Sequence, residues 1–257
     1  MSNALDDLIQ GWRGCDFSKP PFWFLGDRDA LATDTEVRIA TSWQELTGRG
    51  VGQKALHMGL LPVPYAGNLS SASIFILMMN PGQSDGDYDA EYGSSTYRDT
   101  HIRNLRQEGN EEYPLHFLNP AFDFTPPHRF WWGKKLRSLT KDLAARASCS
   151  EEAMRKLLSH RVASLELVPY HARKPDYDHA RHLRSSAAMR RYVHESLQPR
   201  AEAGEVLLIA VRGVGAGGWK LSESRNVVVY HGHEPQLALL SPGSRGGKAI
   251  TEFLGLT

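Results

Sequence analysis

The chain reads as an α/β protein: a three-layer α/β/α sandwich around a central, mainly parallel sheet of four strands. Three observations predict this. Apolar runs near 73–79, 162–168, 205–211 and 226–230 are separated by helical patterns, and such alternation belongs to parallel sheets. The run at 73–79 is continuous rather than alternating, as suits a strand covered on both faces. Polar or special residues stand where the runs stop: Asn80, Glu166, Arg212 and a loop at Ser241. Open α/β sheets place their ligands at those carboxyl ends.

Taken in order, residues 1–64 read as a helical lead-in packed on the core, and 65–257 as the α/β/α domain. A short helix is expected over 5–12 and another over 34–46, where Val37, Ile39, Ala40, Trp43 and Leu46 fall at loose 3–4 spacing. The first clear strand, 73–79, ends at Asn80-Pro81-Gly82, because proline has no N–H to give a ladder and glycine opens other backbone angles. Residues 83–127 read as a long polar loop, a length usually reserved for function. Leu136, Leu139 and Leu143 mark a helix over 133–147, and Ser150 caps the next. A basic helix is expected over 177–197, its Arg181 and Arg184 placed for a phosphate stripe or for a solvated face. A Gly-rich turn or short helix follows the strand at 205–211. A further strand is expected at 236–240 and a last helix from about Lys248.

Composition narrows the function. Thirty basic residues face 29 acidic ones for a net charge of +1, so any nucleic-acid site must be a local patch. Two cysteines, Cys15 and Cys149, cannot build a four-cysteine metal site and fit a reducing cytosol. No signal-peptide core and no apolar run near the ~18 residues of a membrane span occurs. A cytoplasmic, monomeric protein away from membranes is expected, with no cofactor and no metal.

Several motifs can be set aside. There is no P-loop and no Gly-x-Ser-x-Gly elbow. The glycines from Gly213 to Gly218 have the wrong spacing for a dinucleotide fingerprint. His231-Gly232-His233-Glu234 lacks a partner set for a metal, and Asp85, Asp87 and Asp89 lack the glycine and glutamate placement of a calcium loop.

What remains is a set of short motifs in a particular order. Met78-Met79-Asn80-Pro81-Gly82 ends a strand. Pro126-Pro127-His128-Arg129-Phe130-Trp131 opens a helix. Glu166-Leu167-Val168-Pro169 ends a second strand, and Ser241-Pro242-Gly243-Ser244-Arg245 follows the last. Over roughly residues 65–257 this order resembles the uracil-DNA glycosylase superfamily, nearest its mismatch-specific thymine/uracil branch. Met78 stands where that branch has Gly, His128 where it has Asn, and Glu166 where a base-reading Asn is familiar; the His-Pro-Ser-Pro form of the last motif is missing.

The resemblance implies a DNA glycosylase acting on an extruded base. In that role Asn80 orients the attacking water and Glu166 reads the base. Backbone N–H groups at Gly82 and Gln83 stabilise the departing anion. Tyr88, Tyr92, Phe122 or Phe130 stacks on the base, and His171 joins the substrate side. Arg245 fills the gap in the duplex while Ser241, Gly243, Ser244 and Lys248 grip phosphates. An ionised Glu166 would only accept hydrogen bonds, and Gly82 leaves room beside the base, so a C5-substituted pyrimidine, modified cytosine among them, is the expected substrate. The other readings are a structural Glu166 paired with Arg173 or Arg212, a catalytically silent nucleic-acid or protein binder, and a hydrolase of free nucleosides or nucleotides.

Overall fold

The computed structural model describes residues 3–32, 37–46, 52–109, 111–174, 176–214, 218–234 and 240–256. It is a three-layer α/β/α sandwich. Among the described residues the central sheet has five strands rather than four, in the order β3-β5-β4-β6-β7. These are β3 (Tyr65–Ala66), β4 (Ile74–Met78), β5 (Val162–Glu166), β6 (Leu207–Ala210) and β7 (Val227–Val229). Strand β3 runs antiparallel to β5 and the other pairs are parallel. The unexpected strand comes from Tyr65–Ala66, too short for a sequence pattern to reveal.

The continuous apolar run of β4 is explained by its two coats. Phe75, Leu77 and Met79 enter one core with Leu8, Trp12, Leu165, Tyr192 and Trp219. Ile74, Ile76 and Met78 enter the other with Leu139, Leu143, Leu158 and Ile250. The first coat is built on α1 (Ala4–Arg13) and α9 (Arg184–Tyr192), so the N-terminal segment shares a core with the sheet. The second is built on α6 (Arg137–Arg146), α7 (Glu151–Arg161) and α11 (Arg245–Phe253).

Register fixes the functional rim. Met78 lies opposite Glu166, and Leu77 opposite Ala210, so the ends of β4, β5 and β6 arrive level. Asn80, Glu166 and Arg212 therefore emerge side by side.

Three further expectations fail. Residues 37–46 are not a helix: Val37–Arg38 forms β1, parallel to β2 (Leu56–His57), and Gln44–Leu46 is a 3-10 turn. β-Branched Val37 suits a strand better than a helix. The stretch 83–127 is no loop. It holds α3 (Asp85–Gly93) and α4 (Ser95–Leu105), started by Ser84 and Ser94. Asp87 answers Ser84 in a capping box, which places the acidic run in a helical first turn. The basic helix breaks at Leu183 into α8 (Tyr177–His182) and α9, and a π-helical turn follows at Val193–Leu197. Most of the expected strand at 236–240, and part of the glycine turn, lie outside the described residues.

Candidate functional site

A cavity of about 230 Å³ opens at the carboxyl end of β4 and β5. Asn80, Gly82, Gln83, Phe130, Glu166 and His171, all expected site residues, line it. Arg173 and Arg212 line it too, with Phe117 and Trp131 among its aromatic walls. A larger hollow of about 700 Å³ lies at the opposite end of the sheet, where Arg161 and Arg225 alternate with Glu202, Glu205 and Glu252. Its two arginines and three glutamates leave one net negative charge on an open surface. The smaller cavity instead gathers buried polar atoms that need a partner, and that makes it the candidate.

Asn80 is held by the strand behind it. The ladder continues past β4 through Val168 N–H to Met79 O at 2.8 Å, and Trp219 Nε1 donates to Met78 O at 3.0 Å. The Asn80 Nδ2 donates to Ala172 O at 2.8 Å, which fixes the amide and leaves its Oδ1 as the remaining acceptor. The turn then needs Gly82, whose φ of +76° strains any residue with a Cβ. A Cβ there would meet nothing within 4 Å, so the space beside the turn is open.

Glu166 is only 3% exposed and its Oε2 is sealed without a hydrogen-bond partner. Burial pushes its carboxyl far above the ordinary carboxylate range, and the Arg212 guanidinium opposes this without reversing it. Burial thus works against the ionised acceptor expected from the sequence and favours a carboxylic acid, which carries one donor and one acceptor. Arg173 is engaged elsewhere: it donates to Gln83 Oε1 at 3.0 Å, pairs with Asp85 at 2.7 Å and lies 5.0 Å over the Trp43 ring. The Nε2 of Gln83 is buried and without a partner.

His171 lines the cavity but does not offer it a free nitrogen. Its Nδ1 sits 2.9 Å from Gly82 O and its Nε2 3.2 Å from Leu61 O. Burial lowers its imidazole and raises the Asp87 carboxyl, while the charge of each favours the ionised form of the other. Phe130 forms an aromatic wall with Lys135 Nζ 4.8 Å from its ring centre. Burial, with Arg212 and Lys134 adding repulsion, brings Lys135 down to about 8.

No match to this chain is found among protein-family models, curated proteins or solved structures. Function therefore rests on the site itself.

Some expected residues are not brought there. Tyr88 is buried against His57, its hydroxyl 2.9 Å from Nδ1. Tyr92 donates to Gly59 O at 2.5 Å, with Arg98 5.2 Å over its ring. Both sit on α3, whose helical turn carries them away from the cavity. Phe122 packs against Tyr97 instead. Arg245 is no free plug: it is ion-paired to Glu223 and Glu234 and donates to Val229 O at 2.7 Å. Ser244 caps α11 through Gly247 N–H and donates to Ser241 O at 2.7 Å, so this segment is a helix start. Gly243 and Lys248 are exposed beside it. In the basic stripe Arg181 pairs with Asp178 and Arg191 with Asp7 and Glu195, while Arg184 stays exposed on α9.

Phe117 escapes a sequence reading because it sits in the stretch that reads as loop. The signal for the helices there is the Ser84-x-x-Asp87 box, a pattern that opens a helix.

Proposed function

We propose that this chain is a DNA glycosylase that hydrolyses the N-glycosidic bond of a flipped pyrimidine. One observation carries the reading: a water-orienting amide, a base-edge reader and an aromatic wall converge on a single cavity at the end of β4. Asn80 Oδ1 holds a water beside the sugar. The water oxygen bonds to C1′, the electrons of the C1′–N bond leave with the base, and the water's proton passes to solvent. Neutral Asn80 orients without taking the proton, so the reaction leans on a leaving base stabilised as an anion by the backbone at Gly82 and Gln83. Phe130 and Phe117 offer apolar surface for a ring.

Glu166 as a carboxylic acid pairs with an adjacent donor and acceptor. Cytosine offers this edge with N3 and its amino group, and uracil with N3–H and O4. Selection between them then falls to the buried Gln83 amide, and the open space at Gly82 admits a C5 substituent.

The test is base release from oligonucleotides carrying uracil, thymine mismatches and C5-modified cytosines, read as alkali-labile abasic sites. Release from one substrate is expected, lowered at least ~100-fold in Asn80→Ala. No release from any of them, with DNA binding intact, would sink the reading in favour of a silent binder. The ion-paired state of Arg245 favours one rival, a hydrolase of free nucleosides. Nucleosides cleaved faster than oligonucleotides would establish it.

A further inference from the structure

His171 faces two carbonyl oxygens and no other acceptor type: Gly82 O at 2.9 Å and Leu61 O at 3.2 Å. A neutral imidazole carries one N–H, so one of the two contacts would set a lone pair against a lone pair. An imidazolium donates to both. A counter-charge stands nearby in Asp87, whose Oδ2 accepts from Ser84 N–H at 2.6 Å and Ser84 Oγ at 3.1 Å, contacts that fit a carboxylate. The Gly82 carbonyl belongs to the same peptide group as the Gln83 N–H. That N–H points the opposite way across the planar trans peptide and has no backbone acceptor among the described residues. A donor on the carbonyl polarises the whole group and strengthens the N–H as a donor.

We propose that His171 is a positioning residue that acts as an imidazolium: doubly donating, it fixes the Asn80–Pro81–Gly82 turn and sharpens the Gln83 N–H toward the negative charge of the departing base. This rests on the glycosylase reading for its consequence, though not for its chemistry. The protonated ring clamps the turn to Leu61, in the segment between β2 and β3. The deprotonated ring releases one of the two carbonyls. The titratable groups coupled to it are Asp87 on α3, His57 on β2 and His101 on α4, and Arg173 lines the same cavity. Burial is the largest force against the second proton, His57 and His101 add to it when charged, and Asp87 favours the proton.

The experiment pairs imidazole NMR with kinetics in the full chain. Wild type and Asp87→Asn are titrated from pH 8.5 to 5 while the two His171 ring nitrogens are followed and single-turnover base release is measured. The amide that replaces the carboxylate keeps an oxygen for the Ser84 contacts, so the helix cap survives while the charge goes. The expected result is a His171 titration from one N–H to two. Base release should rise on the same midpoint, and Asp87→Asn should move both midpoints down by roughly one unit or more. Running the series in a Glu166→Gln background removes the ionisation of Glu166, and the His171 limb should persist there. A His171 that keeps a single N–H throughout, or a midpoint unmoved in Asp87→Asn, would overturn the proposal. If no oligonucleotide releases a base, the glycosylase reading fails, and the NMR titration still decides the state of His171.

Discussion

At the scale of single residues, the site turns on one acid whose surroundings forbid its usual charge. The identity and rim position of Glu166 were legible, because a strand that ends in an acid before Val168-Pro169 is visible in the chain. Its raised proton affinity was not, since that depends on burial and on an Oε2 enclosed without a partner. The sign of the consequence follows directly. A carboxyl whose folded-state affinity for a proton is raised costs stability once the unfolded chain can ionise. The cost therefore appears above about pH 4.5 and grows as pH rises. Glu166→Gln, which keeps a donor and an acceptor and never ionises, should melt close to wild type at pH 4 and a few degrees above it at pH 8. On the glycosylase reading, wild type should lose base release on an alkaline limb as Glu166 ionises, and the Gln variant should lack that limb. Glu166→Ala should lose release at every pH. Thermal melts and rate profiles for the three proteins check this, and a Gln variant less stable than wild type at pH 8 would contradict it.

At the scale of elements, β4 and the turn after it position the chemistry. That strand is legible in the chain because two apolar coats leave an unbroken run of apolar residues. The pairs β1–β2 and β3–β5 are unreadable because two-residue strands carry no period. Helices α3 and α4 are hidden by polar faces. They bury Tyr88, Tyr97, His101 and Leu105 among charged neighbours rather than along an apolar stripe. A buried Arg98–Glu91 bridge at 2.6 Å joins them, and Glu91 also accepts from Leu61 N–H. Loss of either partner would strand the other. The turn itself offers a cleaner test. Gly82→Ala meets no atom within 4 Å, so its cost is conformational, about 1 kcal/mol from the positive φ. Stability should fall by that modest amount, and on the glycosylase reading base release should fall at least ~10-fold, because that reading puts the departing anion against the Gln83 amide. Gly59→Ala makes the contrast: its Cβ would lie 1.6 Å from Ala40 O, and folding itself should suffer. Denaturation midpoints read against single-turnover rates separate the two kinds of loss.

At the scale of the whole molecule, a layer of buried histidines under the rim sets how the fold responds to acid. His57 is held near 4 by burial, then by the charges of His171, Arg173 and Arg38. His116 is held near 3 by burial, and His101 lies well below its ordinary value for the same reason. Each stays neutral in the fold while the unfolded chain takes a proton near pH 6.5. Stability is therefore intact above pH 6.5 and lost as pH falls toward 4, at up to about 1.4 kcal/mol per pH unit for each group. Against a typical total of 5–15 kcal/mol, a few such groups suffice to unfold the protein between about pH 4 and 5. None of this could be read from the chain, where the histidines look like scattered polar residues. Only the packing of α4 against the 3-10 turn at His116–Leu118 brings His101 and His116 to 5.4 Å between ring centres. His116 is the place to test it. Both its nitrogens are buried without a partner, and its ring already packs on Phe117 at 4.3 Å and Tyr97 at 6.0 Å. His116→Phe removes two unsatisfied polar atoms and one acid-sensitive group while keeping an aromatic ring. It should stabilise the fold by roughly 1–3 kcal/mol at pH 7.5 and by more at pH 5, so that the acid limb becomes shallower. Urea midpoints at the two pH values measure both effects. An equal gain at both would mean that His116 binds its proton as readily in the fold as out of it, and the acid lability would then have to rest on His57 and His101.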